Sequence, residues 1–156
     1  MKIYAGSDHA GFHLKQRLVE LARTLGHEVE DLGPATPERV DYPDFGARVG
    51  RAVVADPGSR GLLVCGSGIG IAMAANKVPG VRAATVWDET SARLSRQHND
   101  ANVFAVGERL IGPATAEAMF AVWLSAEFEG GRHAARVAKI TALEGKGAEA
   151  SERPGS

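Results

Sequence analysis

The stretch Gly61-Leu-Leu-Val-Cys-Gly-Ser-Gly-Ile-Gly70 decides the fold. Its first half, Gly61–Cys65, is apolar on both faces, which suits a central strand of a parallel sheet covered by helices on both sides. Glycines then occupy positions 66, 68 and 70, and a helix of small residues runs through Ile69–Lys77. Such a turn presents free backbone N–H groups and the positive end of a helix dipole. It can hold a phosphate, or an oxyanion that forms during reaction. The chain's single cysteine, Cys65, stands at the mouth of that turn. Two readings stand side by side. Cys65 is a small buried hydrophobe at a strand end, or a thiol whose pKa falls beside a helix N-terminus, so that it serves as base or nucleophile.

Working outward, strands and helices alternate. Lys2–Gly6 reads as a strand, and Leu14, Leu18, Leu21 and Leu25 mark a helix that Gly26 stops. His27–Leu32 is a second strand, and a proline-containing loop leads to a helix over Phe45–Ala55. Beyond the glycine turn come strand Val81–Val86, helix Glu89–Gln97, strand Asn102–Val106 and helices over Pro113–Glu127 and Ala134–Leu143. This order predicts a single-domain, Rossmann-like, three-layer α/β/α sandwich on a five-stranded parallel sheet, spanning residues 1–144. The remainder, 145–156, is small and polar and is expected to be disordered. Ligands of such folds sit at the carboxyl ends of the strands. Asp8, His9 and Cys65 fall there, with His98 and Asn99 shortly before the last strand.

Composition narrows the function. A net charge of −1 without a basic block gives no footprint for nucleic acid or a membrane surface. One cysteine forms no intramolecular disulfide, which fits a reducing compartment. The N-terminal stretch has no apolar signal core and no apolar run is long enough to span a bilayer, so a cytoplasmic location is expected.

The glycine turn fails several familiar patterns. A dinucleotide fingerprint needs Gly or Ala where Ile71 or Met73 stands. A phosphate-binding Walker loop lacks its Gly-Lys-Ser/Thr, and a serine nucleophile elbow would need Gly at Cys65. A cysteine phosphatase would want an arginine near Ile71. No paired cysteines and no helical His-x-x-x-His gather ligands, so no metal is expected. His9 follows a strand end and suits a ligand-facing role, whereas His27 reads as a solvated strand start and His13 is ambiguous. Arg132 and Arg136 stand four apart at a helix start and share one face. Cations there oppose the helix dipole, so either an anion compensates them or the face is simply solvated.

Six motifs in register carry a resemblance over residues 1 to about 144. They are Gly-Ser-Asp-His-Ala-Gly-Phe at 6–12, Asp-Tyr-Pro at 41–43, Cys-Gly-Ser-Gly-Ile-Gly at 65–70 and Ala-Ala-Asn-Lys at 74–77. Ser-Arg-Gln-His-Asn-Asp-Ala-Asn at 95–102 and Glu-Gly-Gly-Arg-His at 129–133 complete the set. The chain resembles the type B ribose-5-phosphate isomerases, in the sugar-phosphate isomerase family that includes the galactose-6-phosphate enzymes. The resemblance implies a homodimer, often paired into a dimer of dimers, with active sites at the subunit interface. It implies interconversion of ribose 5-phosphate and ribulose 5-phosphate, a pentose phosphate pathway step, with neither metal nor organic cofactor. By resemblance Cys65 is the base and His98 the acid that opens the sugar ring, with Ser67 standing where many relatives have Thr. Asp8, His9 and Tyr42 would contact substrate, and Gly66, Gly68, Ile69 and Gly70 would line the anion hole. Arg132 and Arg136 would bind the phosphate, and Asn99 and Arg109 would reach in from the partner subunit. Another branch has Gly at the cysteine position and Glu at the position of Ile71. This chain keeps the cysteine, which leaves Cys65 as the only candidate base in the loop.

Moving a proton between C1 and C2 through an enediolate needs one base near both carbons and fixed donors for the growing oxyanion. A thiol set among backbone N–H groups meets both needs. The rivals are an isomerase for a four-carbon erythrose or erythrulose phosphate or a six-carbon allose or galactose phosphate, and a non-catalytic sugar-phosphate binding module. The module would need neither Cys65 nor His98.

Overall fold

The computed structural model describes the backbone of residues 1–151, with side chains through residue 145. Strands β1 (Lys2–Ser7), β2 (Glu28–Asp31), β3 (Arg60–Cys65), β4 (Ala83–Thr85) and β5 (Val103–Gly107) form one sheet in the order β2-β1-β3-β5-β4. Every pairing is parallel. Helices α1 (Phe12–Thr24), α2 (Tyr42–Ala55), α3 (Ile69–Asn76), α4 (Glu89–Gln97), α5 (Pro113–Ser125) and α6 (Arg132–Ser151) complete the chain.

Alternation along β3 sorts the core into two layers, because successive side chains point to opposite faces of a strand. Leu62 and Val64 join Leu14 and Leu18 of α1 and Phe120 and Trp123 of α5. Leu63 and Cys65 join Val49 and Val53 of α2 and Ile71 and Ala75 of α3. The apolar reading of Gly61–Cys65 follows from this double burial. Cys65 points to the same side as the α2–α3 layer, which fixes the direction of its thiol.

Edge strand β2 is held by a buried cation. Lys15 of α1 has no solvent exposure, and its Nζ lies 2.8 Å from both carboxylate oxygens of Asp31. Removing the Asp31 carboxylate would leave the buried Lys15 ammonium with the Pro34 carbonyl oxygen at 3.0 Å, a cation without its counter-charge.

Two helices depart most from the sequence reading, and other element ends shift by one or two residues. Helix α2 starts at Tyr42, three residues ahead of Phe45, because Pro43 fits a first helical turn where no N–H bond is lost. Helix α6 starts at Arg132 and continues to Ser151, where the reading placed Ala134–Leu143. The tail expected to be disordered over 145–156 thus carries helical backbone as far as Ser151, and from 152 onward it lies outside the described residues. Among the described residues α6 buries only His133, and no helix is long and apolar enough to cross a membrane.

Candidate active site

Chain direction reverses in the sheet order between β1 and β3, so the loops leaving their carboxyl ends part and open a crevice. A cleft of about 660 Å³ occupies it. Asp8, His9, Tyr42, Cys65, Gly66, Ser67, Ile69, Gly70 and Arg109 all line it.

Cys65 ends β3 with only 4% of its surface exposed, and its Sγ accepts the Gly68 N–H at 3.1 Å. That donor and the N-terminus of α3 meet at the sulfur. Gly68 is obligatory: its φ is +76°, and a Cβ there would meet the Val106 carbonyl carbon at 2.7 Å. Gly70 has a different reason, since its Cβ would meet the Tyr42 ring at 2.6 Å. Helix geometry leaves the first N–H groups of α3 without intrahelical partners. The Ser67 Oγ takes that of Ile69 at 3.2 Å.

Across the crevice, buried Asp8 accepts the Gly11 N–H through Oδ1 at 3.0 Å. The His9 Nδ1 lies 3.2 Å from the Val40 carbonyl oxygen. The Arg109 N–H donates to Gly66 O at 3.1 Å and its side chain lies over Gly66. The resemblance assigned Arg109 to the partner subunit. In this structure the cleft is lined by Arg109 of the same chain, because the turn after β5 closes directly on the glycine loop.

His98, Asn99, Arg132 and Arg136 are elsewhere. Helix α4 returns from the carboxyl end of β4 to the amino end of β5, so its C-cap residue His98 sits at the opposite edge of the sheet from Cys65. The register pairs Gly61 with Val103 and Cys65 with Gly107, a run of roughly 13 Å at about 3.3 Å per residue. The expectation of a ligand-end position for His98 is therefore corrected. A helix between two parallel strands must end where the next strand begins.

The turn carrying His98 is held by hydrogen bonds from a buried arginine. Buried Arg96 donates to Asp100 Oδ1 at 2.9 Å and to the Ala101 carbonyl at 2.7 Å. Asp100 adopts φ +47°. The His98 ring stacks on His133 with centroids 4.2 Å apart and planes 12° from parallel. Burial, and then the Arg132 guanidinium, push the His133 pKa below its ordinary 6.5. Arg132 and Arg136 are exposed, no acidic residue occupies the first turn of α6, and among the described residues neither has an ion-pair partner. Asn99 lines a second cavity, of about 500 Å³, between β4 and α6.

One group escaped the sequence reading. Glu129 and His133 stand four apart, and their side-chain donors come within 4.8 Å of His98. The Glu-x-x-x-His spacing was visible, but its approach to His98 depends on the α5–α6 turn, where Gly130 and Gly131 take φ of +65° and +54°.

Comparison with known proteins matches this architecture. The family model described as Ribose/Galactose Isomerase matches residues 3–140. The chain belongs to that family. Ribose-5-phosphate isomerase B of Escherichia coli is 47% identical over 143 residues, 92% of this chain and 96% of its own. D-erythrulose-4-phosphate isomerase of Pectobacterium atrosepticum is 40% identical over 141 residues, 90% of this chain and 93% of its own. The solved structure of ribose-5-phosphate isomerase B from Clostridium thermocellum superposes with a TM-score of 0.92 at 51% identity, covering 94% of this chain and 99% of that one. This protein is an aldose–ketose isomerase, built on the sandwich that the glycine turn predicted.

Proposed function

We propose that this isomerase interconverts ribose 5-phosphate and ribulose 5-phosphate. Cys65 shuttles the proton between C2 and C1, and the α3 N-terminus stabilises the enediolate oxygen. The observation that carries the reading is the buried Cys65 thiol accepting the Gly68 N–H at 3.1 Å, beside helix donors that nothing else in the helix uses. Base and oxyanion donors then lie within one small volume, as a 1,2-proton shift demands. His98 protonates the ring oxygen to open the furanose, and Arg132 and Arg136 bind the phosphate. Because those three stand at the far edge of the sheet, the complete site needs a second copy of the chain. The copy brings its His98 edge to this chain's cleft, and the paired product is a homodimer or a dimer of dimers.

A second reading has its own support. The Pectobacterium relative acts on a four-carbon sugar phosphate by its name and is nearly as similar as the ribose enzymes. Initial rates on four-, five- and six-carbon aldose phosphates separate the two. The highest kcat/KM is expected on ribose 5-phosphate, and a preference for erythrose 4-phosphate or a hexose phosphate would overturn the assignment.

A further inference from the structure

We propose that Thr85 is a positioning residue for the isomerase reaction: its hydroxyl, on edge strand β4, fixes the Gly68 carbonyl at the start of α3. The Thr85 Oγ1 donates to that carbonyl oxygen at 2.6 Å, across 17 residues of chain.

Gly68 needs an outside hold. Glycine has the freest backbone of any residue, and Gly68 must keep φ at +76° for the turn to close. Its N–H is occupied by Cys65 Sγ at 3.1 Å, and its Cα packs on β5, where a Cβ would meet the Val106 carbonyl carbon at 2.7 Å. Neither contact reaches the Gly68 carbonyl, which opens the first peptide of α3. The Thr85 hydroxyl does.

The same peptide carries the Ile69 N–H, which donates to Ser67 Oγ at 3.2 Å. A run of hydrogen bonds thus leads from Thr85, through one peptide group, to a hydroxyl that lines the cleft. Successive bonds of this kind polarise one another. A Ser67 oxygen that accepts from Ile69 keeps its own hydrogen to donate to a sugar oxygen.

Strand β4 also grips the far end of α3. Asn76, the last residue of that helix, donates from Nδ2 to the Ala83 carbonyl at 2.9 Å and accepts the Ala83 N–H at 2.8 Å. Ala83 belongs to the outermost strand of the sheet, so the Asn76 amide takes the place of a further strand. A strand of three residues therefore pins α3 at both ends. Asn76 holds the helix on the sheet, whereas Thr85 sets the peptide beside the thiol.

The role of Thr85 rests on the reading of Cys65 as base and of the α3 N-terminus as the enediolate site. A loosened peptide there weakens contacts that strengthen in the transition state, so the loss falls on kcat rather than KM.

The test is steady-state kinetics of the full-length enzyme on its best aldose phosphate, with thermal melts alongside. Thr85→Val keeps a β-branched side chain and deletes the hydroxyl. It is expected to lose about fivefold in kcat, the worth of one neutral hydrogen bond, with KM within about twofold of wild type. Thr85→Ala repeats the deletion in a smaller side chain. Thr85→Ser keeps the donor and should restore kcat to within about twofold of wild type. Asn76→Ala should lower the melting temperature and leave kcat within about twofold. Wild-type kcat in both hydroxyl-free variants, a serine variant as slow as they are, or a loss carried by KM alone overturns the assignment. An Asn76→Ala enzyme as slow as Thr85→Val overturns it too, because the effect is then a general loosening of α3. An inactive Cys65→Ala beside a fully active Thr85→Val removes only the role of Thr85. Near-normal turnover by Cys65→Ala removes the base reading and, with it, the positioning role.

Discussion

A thiol becomes a useful base near neutral pH only if something stabilises its thiolate. At Cys65 the groups in place are the Gly68 N–H, 3.1 Å from Sγ, and the α3 N-terminus behind it. Cys65→Ala is therefore expected to fold normally and to lose roughly 10²-fold or more in kcat. Alkylation of the wild type should inactivate it, and ribose 5-phosphate should slow that inactivation. Near-normal turnover by the alanine variant would remove Cys65 from the chemistry. His98 separates from Cys65 by substrate. A pentose 5-phosphate is mostly a closed furanose, and its ring must open before C2 can be deprotonated. Erythrose 4-phosphate cannot close that ring through its phosphorylated hydroxyl. His98→Asn should cripple turnover of ribose 5-phosphate and largely spare that of erythrose 4-phosphate wherever the wild type accepts both. Equal losses would move His98 to proton transfer or binding.

At the scale of elements, α3 depends on a residue without a side chain. In Gly68→Ala the left-handed backbone costs about 1–2 kcal/mol, and the new Cβ meets the β5 backbone at 2.7 Å. We expect a lower melting temperature together with slower alkylation of Cys65, since the N–H that holds the thiolate shifts. An unchanged melting temperature and alkylation rate would show the turn to be more plastic than its geometry implies. Helix α4 explains how legible the rest was. Its limits, Glu89–Gln97, agree with the sequence reading, and the structure shows Asp88 and Ser91 forming a capping box at its start. The doubly apolar run in β3 fixed the sheet type for the same local reason. What no local pattern carried was depth: His98 looked close to the ligand end by its place in the chain, yet the crossover set it at the other edge. The His98–Glu129–His133 group was hidden likewise, since it joins two elements through a turn. At α6, Glu144 Oε1 accepts the Gly80 N–H at 2.8 Å and ties the helix to the loop before β4. Ending the chain after Glu144 should leave melting temperature and turnover unchanged, while ending it after Thr141 removes that tie and should lower the melting temperature. Loss of stability on the shorter cut alone would assign the domain boundary to 144.

At the scale of the molecule, the residues proposed for catalysis stand at two opposite ends of the strands. Cys65, Asp8, His9 and Arg109 open at one edge. His98, at the end of α4, stands at the other with Arg132 and Arg136 of α6, which among the described residues have no ion-pair partner. The cleft rim also exposes Tyr42, Ile69, Met73 and Leu110, at 41%, 42%, 63% and 56% of their surface. Apolar side chains gathered around a polar cleft fit a surface that a second copy covers. In the shared-site reading proposed above, a two-fold pair brings the His98 end of each chain to the other's cleft. Subunit mixing tests this directly. Cys65→Ala and His98→Asn are each expected to be inactive on ribose 5-phosphate alone. Unfolded together at equal concentration and refolded, they should recover about a quarter of wild-type activity, because about half the dimers are mixed and one of the two sites in each is intact. Joining the two variants after refolding, without exchange, should recover nothing. Failure of the refolded mixture to regain activity, while refolded wild type does, would place base and acid in the same chain and defeat the shared-site reading.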